Sequence, residues 1–289
     1  MRTFKKNDKG YIMTEQNKYT DTVYTSTDSQ RLDHREVLDA AMLAGNILLQ
    51  NGAEIYRVEE TVHRICEAFG VESLDTFVLT NGIFMTAGNE QEKRFARVNY
   101  IPVKGAQLHR IVAVNQLSRE IEEGKYTVEQ VKERLEDIRT APGYSNRTKI
   151  FAVALTSFSF CFMFGGNWME ALVSFVIGIV LGFYIYYVGG RFSKIMSNIG
   201  GGAVITLVAI LALQLRIPVP MELSHLIVGP LMPLVPGLAF TNGIRDITNG
   251  DYLSGPVRMI DSIMVFISIA AGVGVVLAIY NMVTGGVLI

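Results

Sequence analysis

Residues 233–258, PLVPGLAFTNGIRDITNGDYLSGPVR, set four charged side chains directly after a hydrophobic segment broken by prolines. Arg245, Asp246, Asp251 and Arg258 are four of only ten Asp, Glu, Lys and Arg residues that follow Lys149. An arginine can hold a carboxylate through two parallel N–H bonds, and an aspartate at a membrane boundary can carry a proton. Arg245 is therefore the candidate for gripping a substrate carboxylate, with Asp246 or Asp251 as the candidate proton carrier. Asn242 adds a neutral hydrogen-bonding group, and Gly243, Gly250 and Gly255 allow the backbone to turn. The competing reading is an interfacial loop in which Arg245 and Asp246 pair with each other, a contact of little energetic weight when exposed.

Upstream of these charges, Pro230, Pro233 and Pro236-Gly237 each remove a backbone hydrogen bond and crowd the preceding turn, so a straight helix is not expected. Freed carbonyls are tolerated in lipid only where they face protein or water, so the break implies a cavity, a re-entrant turn or a tight helix contact. A merely kinked structural helix is the alternative. The predicted transport site is Pro233, Pro236, Gly237, Asn242, Gly243, Arg245, Asp246, Asp251, Gly255 and Arg258.

A second polar group lies early in the chain, where Glu54, Arg57, Glu59 and Glu60 share a predicted helix; that spacing suits a functional face or a solvated one with local ion pairs. His63 and Cys66, three apart, could ligate a metal, but nothing nearby supplies the other two ligands and no metal is assigned. The chain has no Walker A loop, dinucleotide glycine fingerprint, G-x-S-x-G elbow or H-E-x-x-H pair, so no cofactor is expected and ATP-driven transport has no support.

These residues sit in two solvents' worth of protein. Through Lys149 there are 21 basic and 22 acidic residues, whereas from Ile150 onward there are 5 of each. The later half has repeated charge-free runs of roughly 18 to 28 residues, enough to cross a hydrocarbon core about 30 Å thick. A net charge of −1 leaves no basic footprint for nucleic acid. Cys66 and Cys161 fall in different environments and are expected to remain free thiols. The first sixteen residues are positively charged but lack an apolar h-region, so no secretory signal is predicted there, and residues 1–32 read as a polar disordered tail.

From 33 to 141 the chain reads as a small α+β domain. Asp33-x-x-Glu36 has capping-box spacing for a first helix that stops at Asn51-Gly52, and a second helix ends at Gly70. Two or three strands follow in SLDTFVLTNGIFMTAG and RFARVNYI, with Asn81-Gly82 as a hairpin turn or a bulge. A third helix ends at Gly124, and Thr127-x-x-Gln130 opens a fourth that Pro142-Gly143 closes off. Residues 150–289 read as an all-α membrane domain with spans near 150–166, 171–188, 199–215, 223–241 and 262–283. Seven basic residues (Arg139, Arg147, Lys149, Arg191, Lys194, Arg245 and Arg258) flank one side of these spans and Arg216 the other. This predicts a cytoplasmic soluble domain and an outside C-terminus. Gly178-x-x-x-Gly182 and Gly200-Gly201-Gly202 are predicted helix-packing patches. The odd span count without an internal repeat suggests half of a paired assembly.

Three segments carry a family resemblance: NGAEIYRVEETVHRI (51–65), VNQLSREIEEGKYT (114–127) and residues 233–258. Together with the order of a soluble domain followed by spans, they resemble the threonine/serine exporter family over about residues 33–285. Within it the chain is similar to the larger subunit of the split form. The resemblance implies a small integral-membrane partner subunit, residence in the cell's cytoplasmic membrane, export of threonine and serine or, in some split members, of dicarboxylates such as succinate, and coupling to the proton-motive force. A second copy of this chain is a further candidate partner. On this basis the chain is expected to be a secondary exporter of small polar carboxylate-bearing metabolites. Two rivals stay open: a membrane-anchored enzyme using Glu54, Arg57, Glu59 and His63, and a scaffold subunit whose transport path lies in the partner.

Overall fold

The computed structural model describes residues 6–7, 10–11, 34–71, 73–87, 95–101, 106–215 and 219–285. Two compact units result, 1–33 and His34–Ile289. In the first, Lys6–Asn7 (β1) pairs antiparallel with Gly10–Tyr11 (β2). The rest of the predicted tail, Asp33 of the predicted capping box, and Arg216 lie outside the described residues.

The second unit opens with α1 (His34–Gln50) and α2 (Ile55–Ala68). A glycine at positive φ follows each of them, Gly52 at 82° and Gly70 at 78°, where an L side chain would be strained. Three strands follow, β3 (Leu74–Leu79), β4 (Gly82–Ala87) and β5 (Phe95–Tyr100), as an antiparallel meander. The register Leu79↔Gly82 leaves Thr80-Asn81 as a two-residue turn. The hairpin alternative therefore holds, moved one residue upstream, with Gly82 inside the ladder. Burial alternates along β4, with Ile83, Met85 and Ala87 inside and Phe84 and Thr86 outside. The inner face packs on a core that includes Leu38, Leu48, Val58, Val62 and Ile65. The outer face carries Phe77, Phe84 and Val98 in register, all exposed. α3 (Leu108–Glu122) and α4 (Val128–Thr140) complete this layer, and the Thr127–Gln130 capping box forms as predicted.

The remaining chain inverts that pattern. α5 (Asn146–Met163), α6 (Trp168–Phe183), α7 (Lys194–Gln214), α8 (Leu223–Leu231), α9 (Gly237–Thr248) and α10 (Ser254–Thr284) expose Phe151, Leu172, Val176, Leu207, Leu211, Ile267 and Val275. They bury Ser157, Ser174, Thr206 and Ser262 instead, the arrangement of helices whose solvent is hydrocarbon. Three stretches are long and apolar enough to cross a membrane: Trp168–Arg191, Lys194–Gln214 and Ser254–Thr284. A fourth crossing exists if Leu223–Leu234 and Gly237–Thr248, bent by 60° at a short break, form one span. The predicted first span differs: α5 has 18 residues and carries Arg147 and Lys149 in its first turn, so its apolar part is short. The 31 residues of α10 extend about 46 Å at 1.5 Å per residue, well beyond the core thickness.

Small residues set the helix spacing. A Cβ on Gly178 would lie 2.7 Å from the Ala154 Cα and one on Gly182 would lie 3.1 Å from the Ile150 Cα, so α6 rides directly on the α5 backbone, as the sequence predicts. Gly202 meets the backbone of α10 at Ile269 in the same way, and Gly272 meets α7 at Ile199.

Candidate functional site

The break falls where the prolines place it. Pro233 lies in a single tight turn, Met232–Leu234, and Pro236 ends the extended link before Gly237 starts α9. α9 then carries Asn242, Arg245 and Asp246 on one face by i, i+3, i+4 spacing.

That face meets the turn between α1 and α2. Ala53 N–H donates to the Leu48 carbonyl (3.1 Å) and Gly52 N–H to that of Leu49 (3.1 Å), ending α1 in a Schellman-type cap that leaves the Gly52 and Ala53 carbonyls outward. The Asn242 amide donates to the Gly52 carbonyl (2.9 Å), and the Arg258 guanidinium to that of Ala53 (2.9 Å). Arg245 forms an ion pair with Glu54. Ile55 N–H donates to Asp246 Oδ1 (3.2 Å), so Asp246 caps α2 from a distant segment. Glu54, at the α2 N-cap, does not cap it through its own side chain. Four consecutive residues of the α+β domain, 52–55, are thereby held by four predicted site residues.

Arg245 and Asp246 thus part company. Asp246 is 1 % exposed and pairs at 3.1 Å with Arg258, which is 8 % exposed. Asp251 Oδ1 accepts from Leu253 N–H (3.1 Å) and Ser254 N–H (2.9 Å), opening α10. Beside it the hairpin tip reaches in, with the Thr80 hydroxyl at 3.5 Å from the Ser254 carbonyl. Glu59 joins from α2: Val78 N–H donates to its carboxylate (3.3 Å), which lies within electrostatic range of Asp251. Burial pushes the Glu59 carboxyl above the ordinary range, and the Asp251 charge adds to this, while the Val78 bond opposes it.

Glu54, Asp246 and Asp251 therefore lie within electrostatic range of Arg258, Glu54 also pairs with Arg245, and Glu59 stands beside Asp251. Glu54 Oε2, Asp251 Oδ2 and the Ser254 hydroxyl are buried without a hydrogen-bond partner. The arrangement can grip a carboxylate through Arg245, 58 % exposed at its side chain, and has spare acceptors for a donor such as an ammonium group.

Two predicted residues act differently from the expectation, and one lies apart. Gly243 and Gly255 do not turn the chain: they sit inside α9 and α10, where a Cβ on Gly255 would lie 2.9 Å from the Gly243 carbonyl, so their smallness permits the crossing of the two helices. The turn itself is made at Gly250, φ 91°. Arg57 lies on its neighbour Tyr56, 3.0 Å from the phenol oxygen, and does not reach the cluster. His63 belongs to the same helix face as Glu59, but Cys66 is buried in the domain core, its thiol pushed up to about 12 by burial. Sequence reasoning missed the 52–55 turn as the partner of the charged segment, because nothing local pairs residues some 190 positions apart. It also missed Glu170 and His225, although Asn167-x-x-Glu170 has capping-box spacing.

A bundle of apolar helices with a broken member, whose charged end is docked on a small α+β domain, defines a membrane protein. A family model described as "Putative threonine/serine exporter" matches residues 39–280, and the chain belongs to that family. The threonine/serine exporter of Corynebacterium glutamicum is 23% identical over 251 residues, 84% of this chain and 51% of that protein. The chain thus spans about half the length of that relative. The Klebsiella aerogenes protein named "Probable succinate transporter subunit YjjP" is 25% identical over 252 residues, 86% of this chain and 95% of that one. A Pichia sorbitophila protein named "Pheromone-regulated membrane protein 10" is 22% identical over 245 residues, 83% of this chain and 24% of that protein. No solved structure matches the chain.

Proposed function

We propose that this chain is the larger subunit of a secondary exporter for small polar metabolites carrying a carboxylate, with threonine- or serine-like amino acids as the favoured substrates. The observation that carries this is the acceptor-rich cluster of side chains at the end of the broken span. Arg245 offers a carboxylate grip, while the unpartnered Glu54 Oε2, Asp251 Oδ2 and Ser254 hydroxyl suit an ammonium group. Four acids against two arginines disfavour a dianion, because like charge in a partly buried site costs more than it does in water. The 52–55 turn occupies Arg245 through the Glu54 carboxylate, which stands where a substrate carboxylate would bind. The soluble domain in this reading closes the inner mouth of the path, and substrate displaces Glu54 from Arg245 to enter.

The finer topology belongs to the same proposal. α5 serves as a short first span, α6, α7 and α10 as full spans, and α8 with α9 as a broken fourth, giving five. The soluble domain (33–141) faces the cytoplasm and the C-terminus lies outside the cytoplasmic membrane, in keeping with the basic residues at α5, α7, α9 and α10. Proton-motive-force coupling and a small membrane subunit complete the reading. Succinate is the second reading, favoured by one observation: the chain matches a named succinate transporter subunit over 95% of that protein's length. Reconstituting the full chain with and without a co-expressed small membrane subunit, then screening labelled threonine, serine and succinate, separates the two. Faster efflux of threonine or serine supports the amino-acid reading, whereas succinate alone moving would replace it.

A further inference from the structure

A second titratable pair lies at the other end of the helices, away from the 52–55 turn. The α5–α6 connection ends at Asn167, whose side chain caps α6 by accepting from Met169 N–H (2.9 Å) and Glu170 N–H (3.0 Å). Its amide donates to the Pro220 carbonyl (2.9 Å), tying this turn to the segment that leads into α8. Glu170 is 2 % exposed. Its carboxylate accepts from Asn167 N–H (2.7 Å) and Glu222 N–H (2.6 Å), and both of its oxygens lie 3.2 Å from His225 Nδ1. His225, 24 % exposed at its side chain, holds Nε2 3.9 Å from a carboxylate oxygen of Glu222, whose side chain is 73 % exposed. From α5, Cys161 also lies within electrostatic range of Glu170. Glu170, Glu222, Cys161 and His225 are the titratable groups that meet here among the described residues.

A capping box alone needs only the Asn167 contacts of Glu170. The added histidine bridges two elements, the start of α6 and the start of α8, and α8 is the first half of the broken span. Histidine is the side chain that changes charge near neutral pH, so the strength of this bridge follows the proton concentration on its own side. We propose that His225 and Glu170 form a proton-binding site that clasps the far end of the broken span to α6. A proton taken from water at Nε2 makes an imidazolium, and the Nδ1–H bond to Glu170 becomes charge-assisted and stronger. Loss of that proton returns it to water and loosens α8. This deepens the exporter reading and rests on it: a proton bound at the outer end closes that end after substrate has left.

The test is efflux of the preferred substrate from cells expressing the full chain together with its small membrane subunit, with internal pH and the total proton-motive force clamped while external pH is varied between about 5 and 8. Wild type changes rate several-fold across this range. His225→Gln holds the high-pH rate throughout, and His225→Lys, which keeps a permanent positive charge beside Glu170, holds the low-pH rate. Either variant retaining the wild-type profile overturns the proposal, whereas absence of efflux from wild type overturns the exporter reading instead. A measurement that needs no variant is hydrogen exchange at the Glu222 amide, corrected for intrinsic pH dependence. Protection that rises as outside pH falls supports the clasp, and protection that is flat overturns it even if the variants fail to insert.

Discussion

The two arginines of the cluster differ in what their loss does, and burial decides the difference. Arg258 and Asp246 are both nearly sealed from solvent and pair at 3.1 Å. Removing one partner strands the other, at a cost on the order of 3–5 kcal/mol. Arg258→Ala and Asp246→Asn are therefore predicted to lower thermal stability in detergent strongly, before any question of transport arises. Arg245 is more than half exposed and its pair with Glu54 contributes about 1 kcal/mol or less. Arg245→Ala should fold, so its transport defect reports on function. Glu59 supplies a pH signature. Its folded carboxyl lies above the ordinary value of 4.5, so its contribution to stability is fully present below that value and is lost as pH rises through the raised one. Glu59→Gln keeps the acceptor for Val78 N–H and should flatten this part of the stability–pH curve. An unchanged curve contradicts the assignment.

At the scale of elements, the crossing of α9 and α10 rests on two glycines that meet face to face. A methyl group on Gly255 would come 2.6 Å from Ile247 Cγ1 and 2.9 Å from the Gly243 carbonyl, and one on Gly243 would come 3.1 Å from the Gly255 carbonyl. Gly255→Ala and Gly243→Ala are each predicted to destabilise by about 1–3 kcal/mol through overpacking, read by thermal unfolding. Gly237→Ala, where a Cβ meets open space, is the control that should change little. The helices and strands of the soluble domain were legible in the sequence because their periodicity and stop signals are local: Gly52, Gly70 and Gly124 end helices where expected. The roles of Gly243 and Gly255 were not, since glycine signals a turn and a close helix crossing with the same letter, and only the partner helix tells them apart. Three helices, or four crossings with the bent pair, meet the length and apolarity of a span where hydropathy reads five, because Arg147 and Lys149 shorten the apolar part of α5, the short first span of the proposed topology.

For the whole molecule, the 52–55 turn and the charged end of the broken span lie in the same compact unit. Residues 34–289 form one compact unit, and the seam runs through the most charged part of the membrane half. Contacts such as Asn242 to Gly52 and Arg258 to Ala53 are 190 and 205 positions apart, so the sequence marks both sides as unusual without joining them. This seam supports the proposal that the domain carrying the 52–55 turn closes the path. The most direct test of that account is efflux of labelled threonine or serine by the full chain with Arg245→Ala, co-expressed with its small membrane subunit, after its membrane insertion and thermal stability have been matched to wild type. The account predicts that efflux is lost while the fold is kept; efflux at the wild-type rate would contradict it.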